Sequence, residues 1–171
     1  MAENCLAEQL GRVCVLTDAE RAALDGLQTG ERLYRKGSMI RTEREGSGEL
    51  FVVQRGWLYC SMLLEDGRRQ IIRFHLRGDL LGADSLAFAH APDAICALTD
   101  VEVQMIDKAR FGRLFVEQPR LAALLFAVQQ IDRVALTDRM TSLGRSSAKG
   151  RVAALLVWIA HRVKRAVTRQ S

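Results

Sequence analysis

Between Gly30 and Gly82 the chain is punctuated by eight of its 13 glycines, at intervals of 2 to 11 residues. Helices of ordinary length do not survive such spacing, because an interior glycine costs a helix about 1 kcal/mol relative to alanine. Short apolar or alternating runs lie between the glycines: Arg32–Arg35, Leu50–Gln54, Trp57–Leu64 and Gln70–Leu76. Glu65-Asp66-Gly67 separates two of them and carries the chemistry of a hairpin turn. Ala94–Leu98 and Val101–Ile106 read as two further strands. Short strands joined by regularly spaced turns predict an antiparallel barrel or jelly roll.

The flanks are helical. Thr17-Asp18-Ala19-Glu20 has the S/T-x-x-E form of a capping box, and Leu24 and Leu27 extend it into a helix over 17–27. After Asp107, the residues Phe111, Leu114 and Phe115 form one face of a short helix. Pro119 opens the next helix at a position that tolerates it, and no Gly or Pro follows before Gly144. Along that stretch Leu121, Leu124, Leu125, Val128, Ile131, Val134, Met140 and Leu143 supply an apolar seam, less regular near Asp132–Asp138. Such a seam suits pairing with a second copy; packing on its own barrel is the competing reading. Gly144 and Ser146-Ser147 mark a hinge, and a last helix starts near Ser147 with Val152, Leu155, Val157, Trp158, Ile159 and Val163. The expected division is a sensor domain over 1–118, a dimerisation helix over 119–144, and a hinge with one further helix over 145–171.

Charge is unevenly placed. Beyond Asp138 there are eight cations and no anion, leaving −3 on residues 1–138 of a chain whose net charge is +5. A basic tail is either a solvated face or the footprint of a nucleic-acid contact; Arg145, Lys149 and Arg151 are the candidates for the latter. No stretch approaches the roughly 20 apolar residues that span a bilayer. The N-terminus has no basic cluster before an apolar run, so a cytoplasmic protein without structural disulfides is expected. No G-x-S-x-G, P-loop, H-E-x-x-H or dinucleotide fingerprint occurs, and the chain is not read as an enzyme. Gly46-Ser47-Gly48 reads as a turn, and Glu43 and Glu45 as a solvated loop.

The element order and several motifs resemble the Crp/Fnr transcription regulators. Gly56-Trp57 through Glu65-Asp66-Gly67-Arg68 looks like the family's strand and "DG" hairpin. Phe74-His75-Leu76-Arg77-Gly78-Asp79-Leu80-Leu81-Gly82 resembles a run of its oxygen-sensing branch, continued by His90-Ala91-Pro92 and Ala97-Leu98-Thr99-Asp100. Lys149-Gly150-Arg151-Val152-Ala153 is similar to the start of its DNA-binding domain. The resemblance implies an α+β, mainly β chain: an antiparallel double-stranded β-helix of the cyclic-nucleotide-binding kind, then a long dimerisation helix. It implies a homodimer that reads DNA through a helix-turn-helix. Residues 152–171 supply only the first helix of that domain, so either the chain is truncated or it is a sensor that does not read DNA itself.

The resemblance also implies where a ligand would sit. Cyclic-nucleotide binders place a Gly-Glu pair after the "GDxxG" turn and an Arg-Ser or Arg-Thr/Ala pair about ten residues on. Here Gly82 is followed by Ala83, and Asp93-Ala94 occupies the Arg position. A phosphodiester wants a planar cationic partner, which Asp93 is not, so cAMP and cGMP are not expected in that pocket. Among metal centres, the family's iron–sulfur cluster needs four cysteines. Cys5 and Cys14 fall in the right region, no C-x2-C is present, Gln104 stands at the family's fourth ligand, and Cys96 lies eight residues earlier. An iron–sulfur cluster shared across a dimer, a Cys5–Cys14 redox pair and a haem on His75, His90 or His161 are the remaining alternatives. Cys60 and Cys96 otherwise read as small buried hydrophobes. The cofactor is left open. The function expected is a sensor and dimerisation module that passes a ligand or redox signal through a helix pair. The alternative is a stand-alone cyclic-nucleotide-like module acting on a partner protein.

Overall fold

The computed structural model describes residues 4–46, 49–145 and 147–167. The side chains of Arg139, 142–145 and 165–167 are not among those described, so the Leu143 and Arg145 assignments, like Ser47-Gly48 of the expected turn, lie outside the described residues.

Eight strands form two antiparallel four-stranded sheets. They are β1 (Gln28–Tyr34), β2 (Met39–Arg41), β3 (Leu50–Arg55), β4 (Leu58–Leu63), β5 (Arg69–His75), β6 (Leu80–Leu81), β7 (Ala94–Ala97) and β8 (Val101–Ile106). One sheet has the order β1-β8-β3-β6 and the other β2-β7-β4-β5. Sequence neighbours β3 and β4 therefore lie in different sheets, which is the jelly-roll arrangement expected. Phe51, Val53, Leu58, Cys60, Leu81, Ile95, Ala97, Val101, Val103 and Met105 fill the space between the sheets. Fully burying a side chain of the Val, Leu or Ile kind stabilises by about 1.5–3 kcal/mol.

The expected strand positions hold to within a few residues, with two additions. β2 and β6 are three and two residues long, too short to show a period. The hairpin at Glu65–Gly67 closes as read: the Leu64 N–H donates to the Arg68 carbonyl at 2.8 Å, and Gly67 adopts φ +79.

Strand β3 is buried along Leu50–Val53. Alternation sends Phe51 and Val53 into the sandwich and Leu50 and Val52 to the opposite face. A helix that the periodicity did not reveal, α1 (Cys5–Gly11), packs on that strand. Asn4 caps it by accepting the Ala7 N–H at 3.1 Å, and Cys5, Leu6 and Leu10 are buried. Seven residues do not hold a helix in isolation; burial of one face does. The capping box of α2 (Asp18–Asp25) is complete, with Thr17 and Glu20 exchanging both side chain–backbone bonds.

Helix α3 (Lys108–Glu117) buries Phe111 and Leu114 and leaves Phe115 half exposed. Pro119 begins α4 (Pro119–Arg145), whose helical backbone passes through Gly144 rather than breaking there. The chain divides into two compact units, 1–122 and 123–171. The second unit holds the rest of α4 and α5 (Ala148–Val167). Ser147 caps α5 by accepting the Gly150 N–H at 3.2 Å. Within α5 the Arg162 guanidinium lies 5.7 Å over the Trp158 ring. No helix among the described residues is long and apolar enough to cross a membrane.

Candidate functional site

The chain reaches the site from β5 through β6 to the turn at Gly82. Gly82 has φ +83, and a Cβ there would lie 2.0 Å from the Glu49 carbonyl oxygen. Only glycine fits both the left-handed backbone and that close approach. The turn then tightens into a short 3-10 segment, Ala83–Leu86. Asp84 projects from this segment, and Asp93 stands just before β7, where Ala94 pairs with Ser61 of β4. Both carboxylates converge on one cation, Arg41 of β2. Its Nη1 donates to Asp84 at 2.9 Å and its Nη2 donates to Asp93. The Arg41 side chain is 13% exposed, and its Nε is buried with no hydrogen-bond partner among the described residues. Burial opposes its charge, yet the bonds to Asp84 and Asp93 win and hold its pKa above the ordinary arginine value.

The sequence reading singled out Gly82, Ala83, Asp93 and Ala94. It missed Arg41 and Asp84, because β2 is too short to be seen and nothing local ties Arg41 to residues 43 and 52 positions away.

A second buried polar group lies inside the roll. His75 Nε2 is 3.1 Å from the Cys60 Sγ, and Nδ1 is 3.6 Å from Asp79 Oδ2. Burial, and then the negative charge of Asp93, push the Cys60 thiol far up. Cys60 therefore stays protonated, within hydrogen-bond distance of His75 Nε2. Asp79 Oδ2 accepts the Leu76 N–H at 3.1 Å, tying the turn together. His75 has a structural place in the core; His90 is exposed in a loop and His161 is exposed on α5.

The cysteines are dispersed. Cys5 is buried and donates to Gln54 Oε1 at 2.6 Å. Cys14 is half-buried, and Arg120 Nη2 donates to its Sγ at 3.0 Å. The same guanidinium donates to Glu20 Oε1 at 2.6 Å and to the Val15 carbonyl at 2.9 Å. Cys96 is buried in β7 with Sγ 3.7 Å from the Gly37 carbonyl oxygen. None of the four is in a disulfide. Gln104 is buried and donates to the Gly30 carbonyl at 2.8 Å. Among the described residues no group of three or more His, Cys, Asp or Glu could hold a metal ion.

Along α4, Leu121 and Leu125 are buried and Leu124 and Val128 partly so. Phe126, Ile131, Val134 and Met140 are exposed, by 64, 56, 54 and 72%. Lys149 and Arg151 are exposed on the first turns of α5.

Two antiparallel sheets wrapped in this order, with a tight glycine turn leading to a side-chain cluster at β7, define a cyclic-nucleotide-binding-type β-roll. The family model described as "Cyclic nucleotide-binding domain" matches residues 31–118. The chain is 34% identical to the nitrogen fixation regulation protein FixK of Bradyrhizobium diazoefficiens, aligning 89% of this chain with 68% of that protein. It is 24% identical to the fumarate and nitrate reduction regulatory protein of Escherichia coli, over 94% of this chain and 64% of that protein. The solved structure of FixK2 from Bradyrhizobium japonicum superposes with a TM-score of 0.71 at 32% identity, covering 78% of this chain and 66% of that one. The chain belongs to the Crp/Fnr family of regulators, and it spans about two thirds of the length of these relatives.

Proposed function

We propose that this chain is the sensor and dimerisation module of a Crp/Fnr-type transcription regulator, working in the cytoplasm as a homodimer. The observation that carries the reading is the 34% identity to a nitrogen fixation regulator over 89% of the chain. The apolar residues left exposed on α4 support it. Leu124 and Ile131 stand seven residues apart, the spacing of a two-helix seam. An event at the roll shifts the balance between two packings of the paired helices, which requires a signal that binds the two states with different affinity. DNA recognition in this reading belongs to a helix-turn-helix, and Lys149 and Arg151, exposed on α5, are the candidates for phosphate contacts. The stand-alone module is not favoured, because the matched relatives are regulatory proteins by name.

Sedimentation equilibrium tests the seam. The chain sediments as a dimer, and Ile131→Glu weakens it at least a hundredfold while far-ultraviolet circular dichroism stays unchanged. A wild-type monomer at micromolar concentration, or an Ile131→Glu dimer of undiminished affinity, refutes the assignment.

A further inference from the structure

The cluster at Arg41 is opposite in sign to what an anionic ligand needs. Two carboxylates, Asp84 and Asp93, face one guanidinium delivered by the chain itself. All three side chains are mostly buried, at 13, 22 and 24% exposure. Arg41 lies on β2, whose partner is β7, while Asp84 lies on the far side of the glycine turn. One side chain thus ties three separate pieces of the roll: β2, the 3-10 segment and the entry to β7. Two carboxylates presented to the two Nη groups of a planar fork is a guanidinium-recognition geometry, which an ammonium cannot reproduce.

We propose that Asp84 and Asp93 form a guanidinium-binding carboxylate pair that Arg41 fills from within the chain. The roll is held in one arrangement by its own side chain at this point and takes no anionic nucleotide there. Removing the tether leaves an open site for a free guanidinium compound. An exogenous fork cation then replaces the missing head group, whereas a point cation of equal charge does not.

The test is chemical rescue of Arg41→Ala, read as the midpoint of thermal unfolding. The variant melts below wild type, and millimolar methylguanidinium raises its midpoint, by about 4 °C at tenfold excess over the dissociation constant. Methylammonium at equal ionic strength does not, and neither compound raises the wild-type midpoint. Equal rescue by the two cations would show mere charge compensation and overturn the proposal. So would a wild-type midpoint raised by millimolar cAMP or cGMP, since the site would then accept an anion. If Arg41→Ala is unfolded in plain buffer, the readout is recovery of a cooperative transition on adding methylguanidinium, and absence of recovery counts against the site.

Discussion

Gly82 and Gly37 allow the steric part of the pocket turn to be measured apart from its backbone conformation. Both have left-handed backbones, with φ +83 and +84. A Cβ at Gly37 would meet nothing within 4 Å. Gly37→Ala therefore incurs only the left-handed cost, about 1–2 kcal/mol. A Cβ at Gly82 would sit 2.0 Å from the Glu49 oxygen, 3.0 Å from the Glu49 carbonyl carbon and 3.2 Å from the Leu50 Cα. All three are backbone atoms, so no rotamer change relieves the overlap and β3 has to move. Overpacking of this kind adds about 1–3 kcal/mol, occasionally more. Gly82→Ala should therefore cost about 2–5 kcal/mol in total. For a chain of this size each kcal/mol lowers the unfolding midpoint by about 2–4 °C. Urea unfolding of the two variants beside wild type gives the difference directly, provided the slope with denaturant is unchanged. If Gly82→Ala and Gly37→Ala are equally destabilised, the close approach to Glu49 has no energetic weight.

Three further outcomes are expected. Asp138 lies seven residues beyond Ile131, on the proposed seam. Asp138→Ala removes two facing like charges and should tighten the dimer about tenfold, about 1.4 kcal/mol; an unchanged sedimentation-derived constant counts against that register. Glu20 is held below the ordinary carboxylate value of 4.5, first by the Thr17 backbone N–H and then by Arg120. Its ionised form therefore stabilises the fold above that pH, and the contribution disappears as pH falls through the lowered folded value. Arg120→Met should flatten the acid side of the midpoint-against-pH curve, and a parallel curve merely displaced would contradict this. With dithionitrobenzoate the native chain should release one equivalent quickly, from Cys14. The buried Cys5, Cys60 and Cys96 should react only on unfolding. Four fast equivalents would mean that α1 and the roll open far more readily than their packing implies.

Much of the architecture was legible in the residues. Glycine spacing over 30–82 announced the roll, Glu65-Asp66-Gly67 the hairpin, Thr17–Glu20 the cap of α2, and Pro119 the start of α4. These signals work because turn geometry, capping and helical periodicity are decided within a few residues of chain. The turn at Gly82 was likewise readable, since its positive φ answers a local backbone demand. Where local signals are short they fail: α1, β2 and β6 owe their existence to what they pack against.

From the amino acids alone came the class of fold, the order of its elements, the family and, through the resemblance, the expectation that an aspartate stands at 93 where cyclic-nucleotide binders carry an arginine. Tertiary structure alone decided what Asp93 does instead. It brings Arg41 and Asp84 from 52 and 9 residues away in sequence, buries His75 against Cys60, and keeps the four cysteines out of disulfides. The physical reason is that a charge's partner is set by which strands lie side by side. That pairing follows from the burial of the whole core rather than from the residues on either side of the charge.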